Sequence, residues 1–224
     1  MPKKLDTTSR VIIIGNSPSI LLQEYGELID SCDIVIRINK CATKGFEKHT
    51  GSKIDIWATT HHKYYPNFIP EGYENIKKIW KRTPGVKLKV PADFPEVKDW
   101  MMYKDKKYKF GHLTKALSHE PCTGLLTILT STLKYEDITI VGFTFYTEEK
   151  HPTAYYRESE LDEDGNHPED KYWNIAEKSG FASDKNGLIK INIVKKLVED
   201  GKIKLLNPTE LYTVEELEKI EIDG

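Results

Sequence analysis

Little in this chain announces a class by abundance. Only three cysteines occur in 224 residues, Cys32, Cys41 and Cys122. They are odd in number and lack metal-type spacing, so they read as free thiols rather than a disulfide framework. Long apolar runs are missing too, the longest being a handful of residues against the roughly 20 that cross a bilayer. Met1 to Arg10 carries charge but no apolar h-region, so no secretory leader is expected and the chain reads as intracellular. Neither sign of charge dominates: 33 Lys and Arg against 35 Asp and Glu leave a net charge of -2, which removes the general reason to expect nucleic acid as partner. No repeat and no linker interrupts the chain. This length suits one full α/β core and not two, so residues 1–224 read as a single domain.

What is present is a succession of β-type runs that feed helical ones. Val11 to Ile14 is a continuous apolar run ending in Gly15, as a buried parallel strand should be, and Ser19 to Asp30 carries Ile20, Leu21, Tyr25, Leu28 and Ile29 at helical spacing. Asp33 to Asn39 completes a βαβ unit with a right-handed crossover. Lys53 to Thr59 reads as a third strand, and Asn75 to Lys81 as a fourth, half exposed because lysines alternate around Trp80. Thr123 to Lys134 predicts a helix and Asp137 to Phe143 a buried strand. Leu188, Ile191, Val194, Leu197 and Val198 mark an amphipathic helix stopped at Gly201, before a last strand at Lys202 to Leu206. The irregular segments 83–118 and 148–182 are expected to be lid or acceptor-facing loops.

Gly15-Asn16-Ser17-Pro18-Ser19 therefore sits where a parallel strand enters a helix. Unpaired amides and the helix dipole there favour a phosphate or carboxylate. The plainer reading is a cap, with Ser17 as N-cap and Pro18 in the first turn. A dinucleotide fold would need G-x-G-x-x-G, but Ser17 and Ile20 occupy the second and third glycine positions, and the second strand ends in Asn39 rather than an acid. Nicotinamide and flavin binding are disfavoured.

GNSPSIL, the ELIDSCDIVIRIN run ending Arg37-x-Asn39, and PCTGLLTILTSTLKYEDITIVGF together resemble the large and small sialylmotifs of the family 29 sialyltransferases. The first turn and ITIVGFTFY are also similar to the bacterial family 42 enzymes. The resemblance covers residues 11–60, 120–147 and 170–206. It implies a single Rossmann-like α/β domain with a mostly parallel sheet, a variant GT-A type glycosyltransferase fold. The implied reaction is inverting transfer, without a metal or other cofactor, of sialic acid or a related 3-deoxy-ulosonic acid such as Kdo. The donor would be the CMP ester and the acceptor a glycan or glycolipid hydroxyl.

By that resemblance Gly15, Asn16, Ser17 and Asn39 belong to the donor site, Asn16 and Asn39 contacting the CMP phosphate and ribose. Cys122, Thr123 and Gly124 would supply helix-start donors, and Tyr146 a phosphate contact. CMP leaves with one phosphate, which amides, amide side chains and phenols could stabilise. Tyr172 and Trp173 match an aromatic pair that would pack on acceptor or nucleotide. The family's vertebrate members join their two motifs by a disulfide and carry a Golgi anchor. Here Val11 and Tyr135 stand at the disulfide positions and no anchor is seen, so a bacterial or viral cytoplasmic enzyme is expected, with peripheral membrane association where the acceptor is lipid-linked.

The resemblance also implies a histidine base shortly before the last long helix. A sugar hydroxyl is a weak nucleophile and imidazole titrates in the useful range. Ala182 stands there, in YWNIAEKSGFASDKNGLIK, and the fit of its neighbours suggests a His→Ala substitution. His167 is the alternative base, with His151 of similar standing. A native alanine would instead make this a CMP-sugar-binding pseudoenzyme, and an unrelated α/β methyltransferase is a third reading. Asp162, Asp164, Asn166 and Asp170 imitate a calcium loop, but His167 replaces its glycine and Trp173 its glutamate, so no metal site is expected. His61 and His62 read as a surface pair, and Tyr103 to Phe110 as a solvated basic loop.

Overall fold

The computed structural model describes residues 5–60, 69–82, 91–101, 121–145, 154–155, 163 and 184–217. Their core is a seven-stranded sheet of β1 (Asp6–Ile14), β2 (Ile34–Ile38), β3 (Ile56–Thr59), β4 (Lys78–Lys81), β5 (Lys98–Met101), β6 (Tyr135–Val141) and β7 (Lys204–Leu205). The order across the sheet is β5-β4-β3-β2-β1-β6-β7, and every neighbouring pair is parallel. This agrees with the mostly parallel Rossmann-like sheet expected from sequence. The described helices are α1 (Gly26–Asp30), α2 (Glu47–Thr50), α3 (Thr123–Ser131) and α4 (Asp184–Glu199).

A parallel strand needs cover on both faces, which is why β1 is continuously apolar. Val11 and Ile13 join Ile36, Ile38, Leu125, Ile128, Val194 and Leu197 in one core beneath α3 and α4. Ile12 and Ile14 join Ile20, Ile29, Val35 and Val141 in a second core on the opposite face. Each of these β1 side chains is at most 1% exposed, and each such burial contributes about 1.5–3 kcal/mol. Val11 and Tyr135, at the implied disulfide positions, both sit in the first core.

The chain steps outward from β1 to β5 and then returns to place β6 on the other side of β1. The strand order thus reverses between β1 and β6, the place where open α/β sheets form a crevice beyond their strand ends. At the far end of the fold α4 stops as its sequence predicts. Gly201 has φ +63°, its amide donates to the Val198 carbonyl, and the Lys202 amide to that of Leu197.

Four elements differ from their sequence reading. Ser19 to Asp30 is not one helix: a 3-10 turn, Pro18–Leu22, ends at an extended Gln23 before α1 begins. A Cβ at Gly26 would run into the Glu47 carbonyl, and His49 Nδ1 lies 2.7 Å from the Gln23 carbonyl. Close approach to α2 thus overrides helical periodicity and leaves Leu22 71% and Leu28 47% exposed. The fourth strand is not half exposed, because Ile79 and Trp80 are both buried on opposite faces. The segment 83–118 is not wholly irregular, since Lys98–Met101 pairs with β4 as the edge strand. In 148–182, Tyr155 is a core residue of the second face, its ring edge-on to Phe46 at 5.1 Å.

Candidate functional site

The two βα turns of the switch point touch through their backbones. The Gly15 amide donates to the Val141 carbonyl at 2.8 Å and the Ser17 amide to the Gly142 carbonyl at 3.0 Å. A Cβ at Gly15 would collide with the Gly142 carbonyl, and Gly142 itself has φ +78°. Glycine is required at both positions for this approach.

Asn16 follows directly. Its Nδ2 donates to the Ile38 carbonyl at 3.1 Å, its carbonyl accepts from the Tyr155 amide at 3.0 Å, and its Oδ1 is buried without a hydrogen-bond partner. A buried amide oxygen left unpaired costs about 1–3 kcal/mol, so this acceptor calls for a donor from elsewhere. Asn39, one residue beyond Ile38, holds φ +51°, a conformation that asparagine tolerates better than most residues. Its Oδ1 accepts from the Thr60 amide at 3.0 Å, and its carbonyl from Trp57 Nε1 at 2.8 Å. Thr60 Oγ1 lies 2.7 Å from Thr123 Oγ1 at the start of α3.

The α3 start is built by Cys122, an N-cap whose sulfur accepts from the Leu125 amide at 3.4 Å, while the Thr127 hydroxyl donates back to the Thr123 carbonyl. Gly124 faces the Phe143 ring closely: an added Cβ would lie 3.0 Å from Phe143 Cε1. The structure therefore joins Asn16, Asn39, Thr123 and Gly124, four of the residues singled out from sequence, through the ends of β1, β2 and β3. Ser17 stands apart from them. Its hydroxyl accepts from the Ser19 amide and from Thr144 Oγ1 at 3.2 Å, and Ser19 in turn reaches Glu210, so the cap reading describes it.

Two basic side chains are buried near this end. Lys190 of α4 is buried, and desolvation lowers its pKa; the Cys122 thiol opposes that and Arg82 adds to it. Beneath the first turn, Arg37 is fully buried, with Nε and Nη2 donating to the Lys53 and Thr50 carbonyls at 2.9 and 2.7 Å. Burial lowers its pKa, while the neighbouring Cys41 thiol, buried beside it, is pushed up to about 12. Cys41 is thus an inert packing thiol.

Thr60, Glu210 and Tyr155 were not legible as site residues. Thr60 sits at the last position of the resembling span 11–60, Glu210 lies outside it, and Tyr155 is one of two adjacent tyrosines in a polar run. Tyr146, Tyr172, Trp173, Ala182, His167, His151, His61, His62, the Tyr103 to Phe110 run and the imitated calcium loop lie outside the described residues. No helix among the described residues is long and apolar enough to cross a membrane.

The sequence profile of glycosyltransferase family 29 (sialyltransferase) matches residues 2–103. The chain is 29% identical over 163 residues to pig CMP-N-acetylneuraminate-beta-galactosamide-alpha-2,3-sialyltransferase 1, covering 64% of this chain and 46% of that protein. The human protein of the same name is 29% identical over 154 residues, 60% of this chain and 44% of its own length. This chain thus spans about half the length of the curated relatives it matches. An Arabidopsis thaliana beta-1,6-galactosyltransferase, GALT29A, is 50% identical over 44 residues, 20% of this chain and 11% of that one. A solved mammalian sialyltransferase in complex with Gal-beta-1-3GalNAc-ortho-nitrophenol shares the fold. Its TM-score is 0.55 at 21% identity, covering 92% of this chain and 75% of that one.

These relatives correct one expectation from sequence. The sialyltransferases among them are animal enzymes of the branch whose members are lumenal, so the bacterial or viral cytoplasmic assignment does not stand. Its weakness was to read a compartment from the missing disulfide and anchor. What the comparisons bear out is the family 29 resemblance.

Proposed function

A relative of the glycosyltransferase family 29 sialyltransferases, this chain is, we propose, an enzyme that moves sialic acid from its CMP ester to a glycan hydroxyl. The observation that carries this reading is the joined set of Asn16, Asn39, Thr60 and Thr123 at the strand ends, with Asn16 Oδ1 buried and unpaired. An orphan acceptor suits a ribose hydroxyl or the amino group of cytosine. The first amides of α3, which a helix start leaves without intrahelical partners, and the positive dipole end suit the phosphate or the sugar carboxylate.

Held this way, the donor presents its anomeric carbon to an acceptor hydroxyl in line, and the departing CMP is stabilised by amides and hydroxyls already in place. Transfer inverts configuration and requires no metal, the phosphate charge being met by the protein. Tyr146, Tyr172 and Trp173 belong to the same reading as phosphate and acceptor contacts. Kdo in place of sialic acid, and peripheral association with membranes carrying lipid-linked acceptors, are the finer alternatives for donor and location.

Ala182 favours a second reading, a non-catalytic protein that binds the CMP-sugar. Position 182 is where a base would take the acceptor proton, and alanine cannot. Isothermal titration with CMP, CDP and S-adenosylmethionine, with and without chelator, tests the site. CMP binding above the others, unchanged by chelator, is expected, and failure to bind CMP refutes the donor assignment. Ala182→His is then expected to raise transfer from CMP-sialic acid by about 10²–10⁴-fold, the usual range for a positioned general base. No gain in that assay, with CMP still bound, favours the binding protein.

A further inference from the structure

Glu210 lies on the 3-10 turn Pro208–Glu210, just after β7. Its side chain is buried, 6% exposed. Oε1 accepts from the Gly142 amide and the Ser19 hydroxyl, both at 2.8 Å, and Oε2 accepts from the Phe143 amide at 3.0 Å. A carboxylate only accepts, so Ser19 must give it its single proton. Ser19 Oγ also lies 3.0 Å from Ser17 Oγ, which accepts from Thr144 Oγ1 at 3.2 Å. Thr144, Ser17 and Ser19 thus line up toward Glu210.

Two routes lead from this carboxylate to the donor residues. One runs through Ser19 and Ser17 to the turn that carries Asn16. The other runs through the Phe143 backbone to the Phe143 ring, which packs against Gly124 at the α3 start. Resting on the donor-binding reading above, we propose that Glu210 is a positioning residue whose carboxylate clasps both βα turns and so sets the affinity of the site for its nucleotide.

The segment that bears it is firmly seated. Leu211 is buried in the first core, Lys195 of α4 lies over the Tyr212 ring at 4.6 Å, and Lys195 pairs with Glu216 at 2.6 Å. The Thr213 amide donates to Glu216 and the Glu216 amide to the Thr213 hydroxyl, a reciprocal capping box. One segment thus ties Glu210 to α4.

The test compares CMP affinity by calorimetry in the unmodified chain, Glu210→Ala, Glu210→Gln and Leu211→Ala, with thermal stability measured on each. Leu211→Ala is expected to lower the melting temperature while CMP affinity stays within about twofold. Glu210→Ala is expected to weaken CMP by tenfold or more, within the roughly 5–150-fold typical of coupled sites, and added acetate is expected to restore several-fold of that loss by refilling the place of the carboxylate. Glu210→Gln keeps the shape but turns an N–H toward a backbone N–H, so it should weaken CMP without responding to acetate. It serves as the decisive variant if Glu210→Ala fails to fold. Unchanged CMP affinity in either Glu210 variant overturns the clasp and leaves the donor site intact. A loss that matches Leu211→Ala degree for degree of melting temperature, with no acetate rescue, also overturns it. Absence of CMP binding in the unmodified chain refutes the function itself, and the clasp with it.

Discussion

The two helix starts at the switch point look alike in sequence and behave differently in the fold. Ser17-Pro18-Ser19 opens only a five-residue 3-10 turn, and its hydroxyls are spent on one another, on Thr144 and on Glu210. Cys122-Thr123-Gly124 opens a nine-residue helix whose first side chain reaches Thr60 and, through it, Asn39. The protein supplies its own anion, Glu210, to the first junction, and the second, flanked by two asparagines, is the one the proposed donor site uses. A glycine-bearing turn after a parallel strand is therefore insufficient to locate an anion site. What decides is whether the chain already fills it.

The sharpest way to break this arrangement is Gly15→Ala, which drives a methyl into the Gly142 carbonyl. Backbone cannot yield as a side chain can, so a loss of about 3 kcal/mol is expected, read from urea denaturation. An unchanged midpoint would mean that the two turns are not locked. Asn16 is the next test, on the ligand side of the contrast. Asn16→Ala should weaken CMP about tenfold, one hydrogen bond's worth at 1.4 kcal/mol per decade, and Asn16→Asp more, since a carboxylate could no longer donate to the Ile38 carbonyl and would be repelled by it. If both bind CMP as the parent does, the unpaired oxygen is not the ligand's partner.

Ser17→Ala probes the other junction. It removes an N-cap and should cost about 1 kcal/mol while CMP affinity changes by no more than a few-fold, because the route from Glu210 through Phe143 stays in place; a loss larger than that of Glu210→Ala would return Ser17 to the donor site. The smallest effect belongs to Cys122→Ser. A hydroxyl caps better than a thiol, so a gain of a few tenths of a kcal/mol is expected, seen as a slightly higher melting temperature with unchanged CMP binding.

The strands were legible because a buried parallel strand writes itself as an apolar run, as in Val11 to Ile14 and Ile34 to Ile36. The break after Leu22 was not, because its cause is the Glu47 carbonyl, a group from another element. Trp80 misled for a related reason: alternating lysines suggest an open face, and only the sheet order shows that β4 has β5 outside it. Within the site, Asn16, Asn39, Thr123 and Gly124 could be named from motif likeness. Glu210 could not, since nothing local distinguishes an acid in NPTELY from any solvated one. Its role comes from a partner 191 residues away.

That separation has a consequence for how the protein is made. Ser17 meets Thr144 across 127 positions and Ser19 meets Glu210 across 191, so the candidate site cannot be assembled while the ribosome is still working through the middle of the chain. Contacts of such range close late. Ligand binding would then report synthesis past residue 210, and fragments stopped short of it would carry the sialylmotif-like segments and still lack a working pocket.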